Sequence, residues 1–151
     1  MSTEAEAIVS EFCRAWARLN LDQIMDFFTD DAVYHNIPLP VASGKEAIRK
    51  TIAGLLKGTT WLEFKVLHTA SVGNVVMNER VDSFEAKGKR MSLPVAGVFE
   101  TTDNGKIKAW RDYFDMKMFT DQMKYFVTKR SAGGLRSPAS QLWLRRSPTP
   151  L

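Results

Sequence analysis

The sequence predicts an α+β fold, in which a curved, mixed but mostly antiparallel sheet wraps around N-terminal helices to form a cone with a deep apolar pocket. Three observations predict it. Helical patterns occupy the start of the chain, four strand-like runs follow over residues 61–114, and a late helical stretch closes the pattern. Helices first, then a meander of strands, is an α+β order. The 151 residues, 44% hydrophobic and 25% charged, suit one domain with a real core.

Residues 3–18 carry an apolar stripe at helical spacing through Ile8, Phe12, Ala15 and Trp16, and Thr3 with Glu6 has capping-box spacing. The stretch NLDQIMDFFTDDA reads as a second short helix ending near Thr29. AVYHNIP reads as a short strand or extended loop, stopped by Pro38 and Pro40. Ser43 and Glu46 have the spacing of another capping box, opening a helix from about Lys45 to Leu56. The strand-like runs are 61–69, 74–84, 90–101 and 106–114, broken by SVGN, EAKGK and TTDNG, all rich in turn formers. A helix from about Asp115 to Lys129 follows. A single folded domain is thus expected over 1–129. Residues 130–151 form a basic tail rich in Ser, Pro and Gly, whose composition predicts flexibility. Its apolar exception is Leu142, Trp143 and Leu144.

Charge and composition exclude several classes. The net charge is +4, but residues 129–151 hold five basic residues and no acid, which leaves 16 basic against 17 acidic residues in the rest. The basicity belongs to the tail, so no nucleic-acid-binding face is expected. No apolar run is long enough to span a bilayer, and the N-terminus carries acids where a secretory signal has bases. A single cysteine, Cys13, fits a reducing, cytoplasmic setting. With two histidines and one cysteine no metal site is expected, although two His plus a carboxylate remains arithmetically possible.

The chemistry is sought on strand faces. In ERVDSF, Arg80, Asp82 and Phe84 share one face. In KIKAWRDYFD, Asp112 shares a face with Trp110 and Phe114, where a lone ionised carboxylate is costly and needs partners. In MSLPVAGVFE, residues Met91, Leu93, Val95, Gly97 and Phe99 make an apolar wall. Arginine can hold two carboxylates through its planar fork, so an Asp82–Arg80–Asp112 cluster in the concavity is possible. In such a cluster the carboxyl groups can be driven to different pKa values, one acid and one base. On spacing alone, however, a strand arginine beside an aspartate is more often a structural ion pair. Tyr34 and Asn36 share a face and can jointly hold a water, although such residues more often satisfy backbone groups at a strand end. His35 points away from them. His68, in phase with Leu62, Phe64 and Val66, is expected to be a packed core histidine. Cys13 is expected to be a small buried hydrophobe, and Met116, Met118 and Met123 core filler.

Together and in this order, VYHNIPLP, ERVDSF, GVFE and GKIKAWRDYFD resemble the limonene-1,2-epoxide hydrolase family over roughly residues 5–125. These are small cofactor-free enzymes on the cystatin-like α+β cone shared with ketosteroid isomerase and scytalone dehydratase. The resemblance implies that Asp112 acts as general base on a water held by Tyr34 and Asn36. It implies that Asp82 is the acid that protonates the epoxide oxygen, and that Arg80 bridges the two aspartates. The partners it implies are water and a small apolar or cyclic, terpene-like epoxide, seated against Leu55, Leu93, Val95, Phe114 and Cys13, in a protein that pairs as a homodimer through its sheet. Two other readings remain beside it. One is another enzyme on the same cone, a polyketide cyclase or isomerase, which would use one aspartate or an Asp–His pair. The other is a non-catalytic ligand-binding or partner-binding module.

Overall fold

In the computed structural model the described residues are 3–127. The expected tail, its Leu142, Trp143 and Leu144, and the last residues of the expected fourth helix lie outside them. Helix α1 spans Glu4–Ala15 and continues as a 3-10 turn, Trp16–Arg18; α2 spans Leu21–Met25, α3 Lys45–Leu56 and α4 Met116–Val127. The strands are β1 (Phe28–Asn36), β2 (Ala42–Ser43), β3 (Thr59–Val72), β4 (Val75–Ala86), β5 (Lys89–Thr101) and β6 (Ile107–Tyr113). They form one sheet in the order β2-β1-β6-β5-β4-β3. Only the β1–β6 pair is parallel. The fold is the mixed, mostly antiparallel α+β arrangement that the sequence predicts.

Local chemistry explains most boundaries. Thr3 and Glu6 form the expected capping box at the start of α1. At α3 the expected box is absent. Ser43 is consumed by β2, and the N-cap is Gly44 at φ 86° with no side-chain cap, a backbone region that glycine enters without penalty. The second helix is shorter than expected. It stops at Met25, because Phe28 already pairs with Ile107 of β6. His68 also departs from expectation: its side chain is 82% exposed and hydrogen-bonded to Glu79 at 2.9 Å. The cause is a bulge in β3, where Val66 and His68 face the consecutive residues Arg80 and Glu79. One extra residue reverses the phase of everything after it. Of the three methionines, none joins the buried core, and Met118 is 43% exposed.

The concave face of the sheet closes over α1 and its 3-10 turn. Phe12 lies 5.0 Å from Trp110 and 5.5 Å from Phe28, edge to face. Trp110 in turn stacks on Tyr34 at 4.0 Å. Buried rings of this size dominate core energetics and fix mutual orientation. On β5, residues 91, 93, 95, 97 and 99 are all buried, as the alternation predicts. The β6 strand covers only Ala96–Thr101 of β5. The uncovered edge tolerates Pro94, which has no N–H to donate. It is also where Gln122 of α4 caps Ser92: the Ser92 amide donates to Oε1 at 3.1 Å, and Nε2 donates to the Ser92 carbonyl at 2.9 Å.

Candidate active site

Strand alternation puts Asn78, Arg80 and Asp82 on the inner face of β4. Asp82 is opposite Leu93, Arg80 opposite Val95, and Asn78 opposite Gly97. Gly97 in turn pairs with Asp112 on β6. The parallel β1–β6 ladder then sets Tyr34 beside Trp110 and Asn36 beside Asp112. Three strands in register thus bring Arg80, Asp82, Asp112, Tyr34 and Asn36 to one end of the concavity.

Arg80 is 0% exposed. Its Nε donates to Asp82 Oδ1 at 2.8 Å and its Nη2 to Asp82 Oδ2 at 3.1 Å. Nη2 also donates to Asp112 Oδ2 at 2.6 Å, and Nη1 donates to Asn78 Oδ1 at 3.0 Å. The guanidinium carbon sits 5.0 Å from the Phe64 ring centre. A charge this deep is retained only with such partners. The other oxygen of Asp112 accepts from Trp110 Nε1 at 2.7 Å. Asn36 Nδ2 donates to Tyr34 Oη at 2.7 Å.

The two aspartates differ in surroundings. The Asp112 side chain is 5% exposed and held by Arg80 and Trp110, whereas Asp82 keeps 18% exposure. Burial pushes the Asp82 carboxyl up to about 7, Arg80 opposes the rise, and Asp112 adds to it. Burial raises Asp112 too, against the pull of Arg80 and Trp110. For Arg80, burial works against its charge and the two carboxylates outweigh burial, so it stays a cation. One cation between two carboxylates leaves one negative charge in excess in a dry site. A single proton on the pair would cancel it, and two carboxyl groups this close titrate as a pair. Burial also keeps Tyr34 a phenol, and it pushes the Cys13 thiol up to about 11.

Asp82, Asp112, Tyr34 and Asn36 form the polar end of a cavity of about 700 Å³, measured out into its open mouth. Of the residues expected to line it, Leu55, Leu93, Val95 and Phe114 do so. Cys13 is not among the lining residues. It lies behind the cluster, where Asn78 Nδ2 reaches its Sγ at 3.6 Å. The rest of the wall is Trp16, Leu39, Leu62, Phe64, Phe84, Met91 and Phe119. Of these, Phe84 and Met91 carried a readable signal, since each shares a strand face with residues already singled out. Trp110 and Asn78 were missed as polar partners. Asn78 was legible too, two residues before Arg80 and so on its face. Among the described residues, no group of three or more His, Cys, Asp or Glu is arranged to hold a metal ion. None of their helices is long and apolar enough to cross a membrane.

Comparison with known proteins gives this geometry a family. The model of the limonene-1,2-epoxide hydrolase catalytic domain matches residues 3–124. The chain is 32% identical over 108 residues to "Epoxide hydrolase EphG" of Mycobacterium tuberculosis, covering 72% of this chain and 71% of that protein. A solved M. tuberculosis structure described as an LEH-like epoxide hydrolase superposes with TM-score 0.71 at 31% identity, over 83% of this chain and 94% of the other. A SnoaL-like polyketide cyclase structure from Shewanella putrefaciens superposes with TM-score 0.74 at 13% identity, over 83% and 99%, which speaks to the fold alone. With a family model spanning nearly all the described residues, the chain belongs to the limonene-1,2-epoxide hydrolase family.

Proposed function

We propose that this protein is a cofactor-independent epoxide hydrolase that opens a small apolar or cyclic epoxide to a vicinal diol by one-step attack of water. One observation carries the reading: a fully buried arginine grips two aspartates at the polar end of a largely apolar cavity. Tyr34 and Asn36 hold the water beside Asp112, which takes one of its protons as the oxygen attacks an epoxide carbon. As that carbon–oxygen bond breaks, Asp82 gives its proton to the departing oxygen. Neither free hydroxide nor free alkoxide forms. One proton then has to pass from Asp112 back to Asp82, which restores the one-proton cluster.

The division of labour follows from the surroundings. Trp110 and Arg80 both donate to Asp112 and favour its anion. Asp82, with the more exposed carboxyl and a pKa raised to about 7, is suited to carry the proton. Among the described lining residues the polar side chains gather at this end, apart from the indole N–H of Trp16, so the epoxide ring itself is the group that is recognised. A second copy of the chain, paired through the sheet, and a cytoplasmic setting belong to the same proposal, and a single buried thiol suits the latter.

The test is diol formation from limonene oxide, cyclohexene oxide and styrene oxide by purified protein, without added metal or cofactor, beside Asp112→Asn. Asparagine is chosen because it still accepts from Arg80. Leaving that buried cation unpaired would cost about 3–5 kcal/mol of stability. Diol from the wild type and a loss of about 10²–10⁴-fold in the variant is expected. No diol from any of the three would sink the reading.

A further inference from the structure

The mechanism leaves one contact of the guanidinium without a role. Arg80 Nη1 donates to Asn78 Oδ1, yet Asn78 is buried and does not line the cavity. Asn78, Gly97 and Asp112 stand in one row across β4, β5 and β6. Arg80 projects one inward position farther along β4. To reach Asp112 its side chain runs back over this row, and the guanidinium comes to rest on Gly97. A Cβ at Gly97 would fall 2.2 Å from Arg80 Nη1 and 2.9 Å from Asn78 Oδ1. Gly97 is not among the positive-φ residues, so it supplies room rather than conformational freedom.

We propose that Asn78 is a positioning residue of this site: with the bare backbone of Gly97 it fixes the roll of the Arg80 guanidinium, so that Nε and Nη2 meet the two aspartates. The inference rests on the hydrolase reading above. Asp82 holds only one edge of the planar fork. Anchoring Nη1 at the other edge removes the remaining freedom and sets where Nη2 meets Asp112. Without an acceptor there, the buried Nη1 is left unsatisfied, and turning it toward the aspartates draws Nη2 off Asp112. Cys13 keeps the anchor the right way round. It receives the Asn78 Nδ2–H at 3.6 Å, which leaves Oδ1 for the arginine; a reversed amide would set two N–H donors against a cation. An amide also suits the charge. A carboxylate at this position would be the third around one guanidinium, whereas the neutral oxygen accepts without disturbing the single shared proton.

Wild type, Asn78→Leu, Asn78→Asp and Gly97→Ala are compared for diol formation across pH, with thermal unfolding as the check on folding. Leucine fills a similar volume without an acceptor. It is expected to lower kcat roughly ten- to hundred-fold through misplacement of the cluster, with KM within about twofold. Aspartate restores the acceptor and is expected to recover most of that loss, with the alkaline limb of the pH profile moved upward by the added carboxylate. Gly97→Ala is expected to behave like leucine. The proposal is overturned if Asn78→Leu keeps wild-type kcat, or if Asn78→Asp, compared at the pH of its own maximum, loses as much as leucine does. Nitrogen-15 NMR of the Arg80 side chain supplies a readout that needs no turnover. Nη1 and Nη2 should give separate signals in wild type and Asn78→Asp, and merge in Asn78→Leu. If wild type makes no diol, the hydrolase reading fails, and the NMR still decides whether Asn78 fixes the guanidinium. If Asn78→Leu does not fold, merged signals in Asn78→Asp overturn the proposal and separate signals sustain it.

Discussion

Arg80 is a full charge with no exposed surface, and each neighbour limits what it can do. Asp82 and Asp112 compensate its charge, Asn78 its remaining edge, and Phe64 its face. A proton shared within such a cluster gives a rate that depends on pH in a definite sense. On the proposed mechanism Asp82 must be protonated, so turnover is expected to fall as pH rises through about 7. Asp112 must be ionised, and burial raises it, so the acid limb lies above the ordinary carboxylate range. A bell in kcat/KM with these two limbs is expected from initial rates measured between pH 4 and 10, and a flat profile from pH 6 to 9 would contradict the assignment. At this scale the sequence was informative wherever strand parity decides the matter. Arg80, Asp82 and Asp112 point inward because their positions alternate with outward ones. Parity does not say which polar atoms meet, and that is why Trp110 as a donor and Asn78 as an anchor needed three dimensions. Cys13 shows the same limit. Its burial followed from the residue type, but whether it faces the cavity or the back of the cluster depends on the tilt of α1 against β4.

Among elements, strands were read more closely than the joints between them. The four runs in the second half match β3 to β6 within a few residues at each end, because alternation and Gly-containing turns agree there. Mistakes fall where a distant partner overrides local pattern. Phe27 and Phe28 continue a helical stripe, yet Phe28 begins β1 once Ile107 is available to pair with it. Ser43 has the residue type and spacing of a cap, but β2 has already taken its backbone. The bulge that carries His68 outward leaves no mark in composition. The joint most open to experiment is α4. Gln122 holds it to the uncovered edge of β5, and Phe119 of the same helix reaches the cavity and packs on Phe114 at 5.7 Å. Gln122→Ala removes both hydrogen bonds to Ser92, each worth about 1 kcal/mol, and loosens that wall. KM for an apolar epoxide is expected to rise several-fold while kcat changes little, as steady-state kinetics would show. An equal fall in kcat would instead mean that α4 reaches the cluster.

For the molecule as a whole, the outer face of the sheet matters as much as the inner one. Met77 is 55%, Tyr113 46% and Val75 38% exposed on strands whose other faces are buried. If a second copy covers this face, Met77→Glu should convert a dimer to a monomer in analytical ultracentrifugation; a wild type that already sediments as a monomer would remove the dimer from the proposal. The parallel pairing of β1 with β6 has a consequence in time. It sets Asn36 beside Asp112, an early residue beside a late one, whereas β3 to β6 pair with their neighbours in the chain. Closing the longest loop is the slow, entropically costly step in assembling a sheet. The meander, with Arg80 and both aspartates, can therefore form before β1 docks, and the water-holding pair arrives last. On refolding, the proposed acid and base would be in place before the cradle for water, so turnover regained reports the final docking event rather than the collapse of the core.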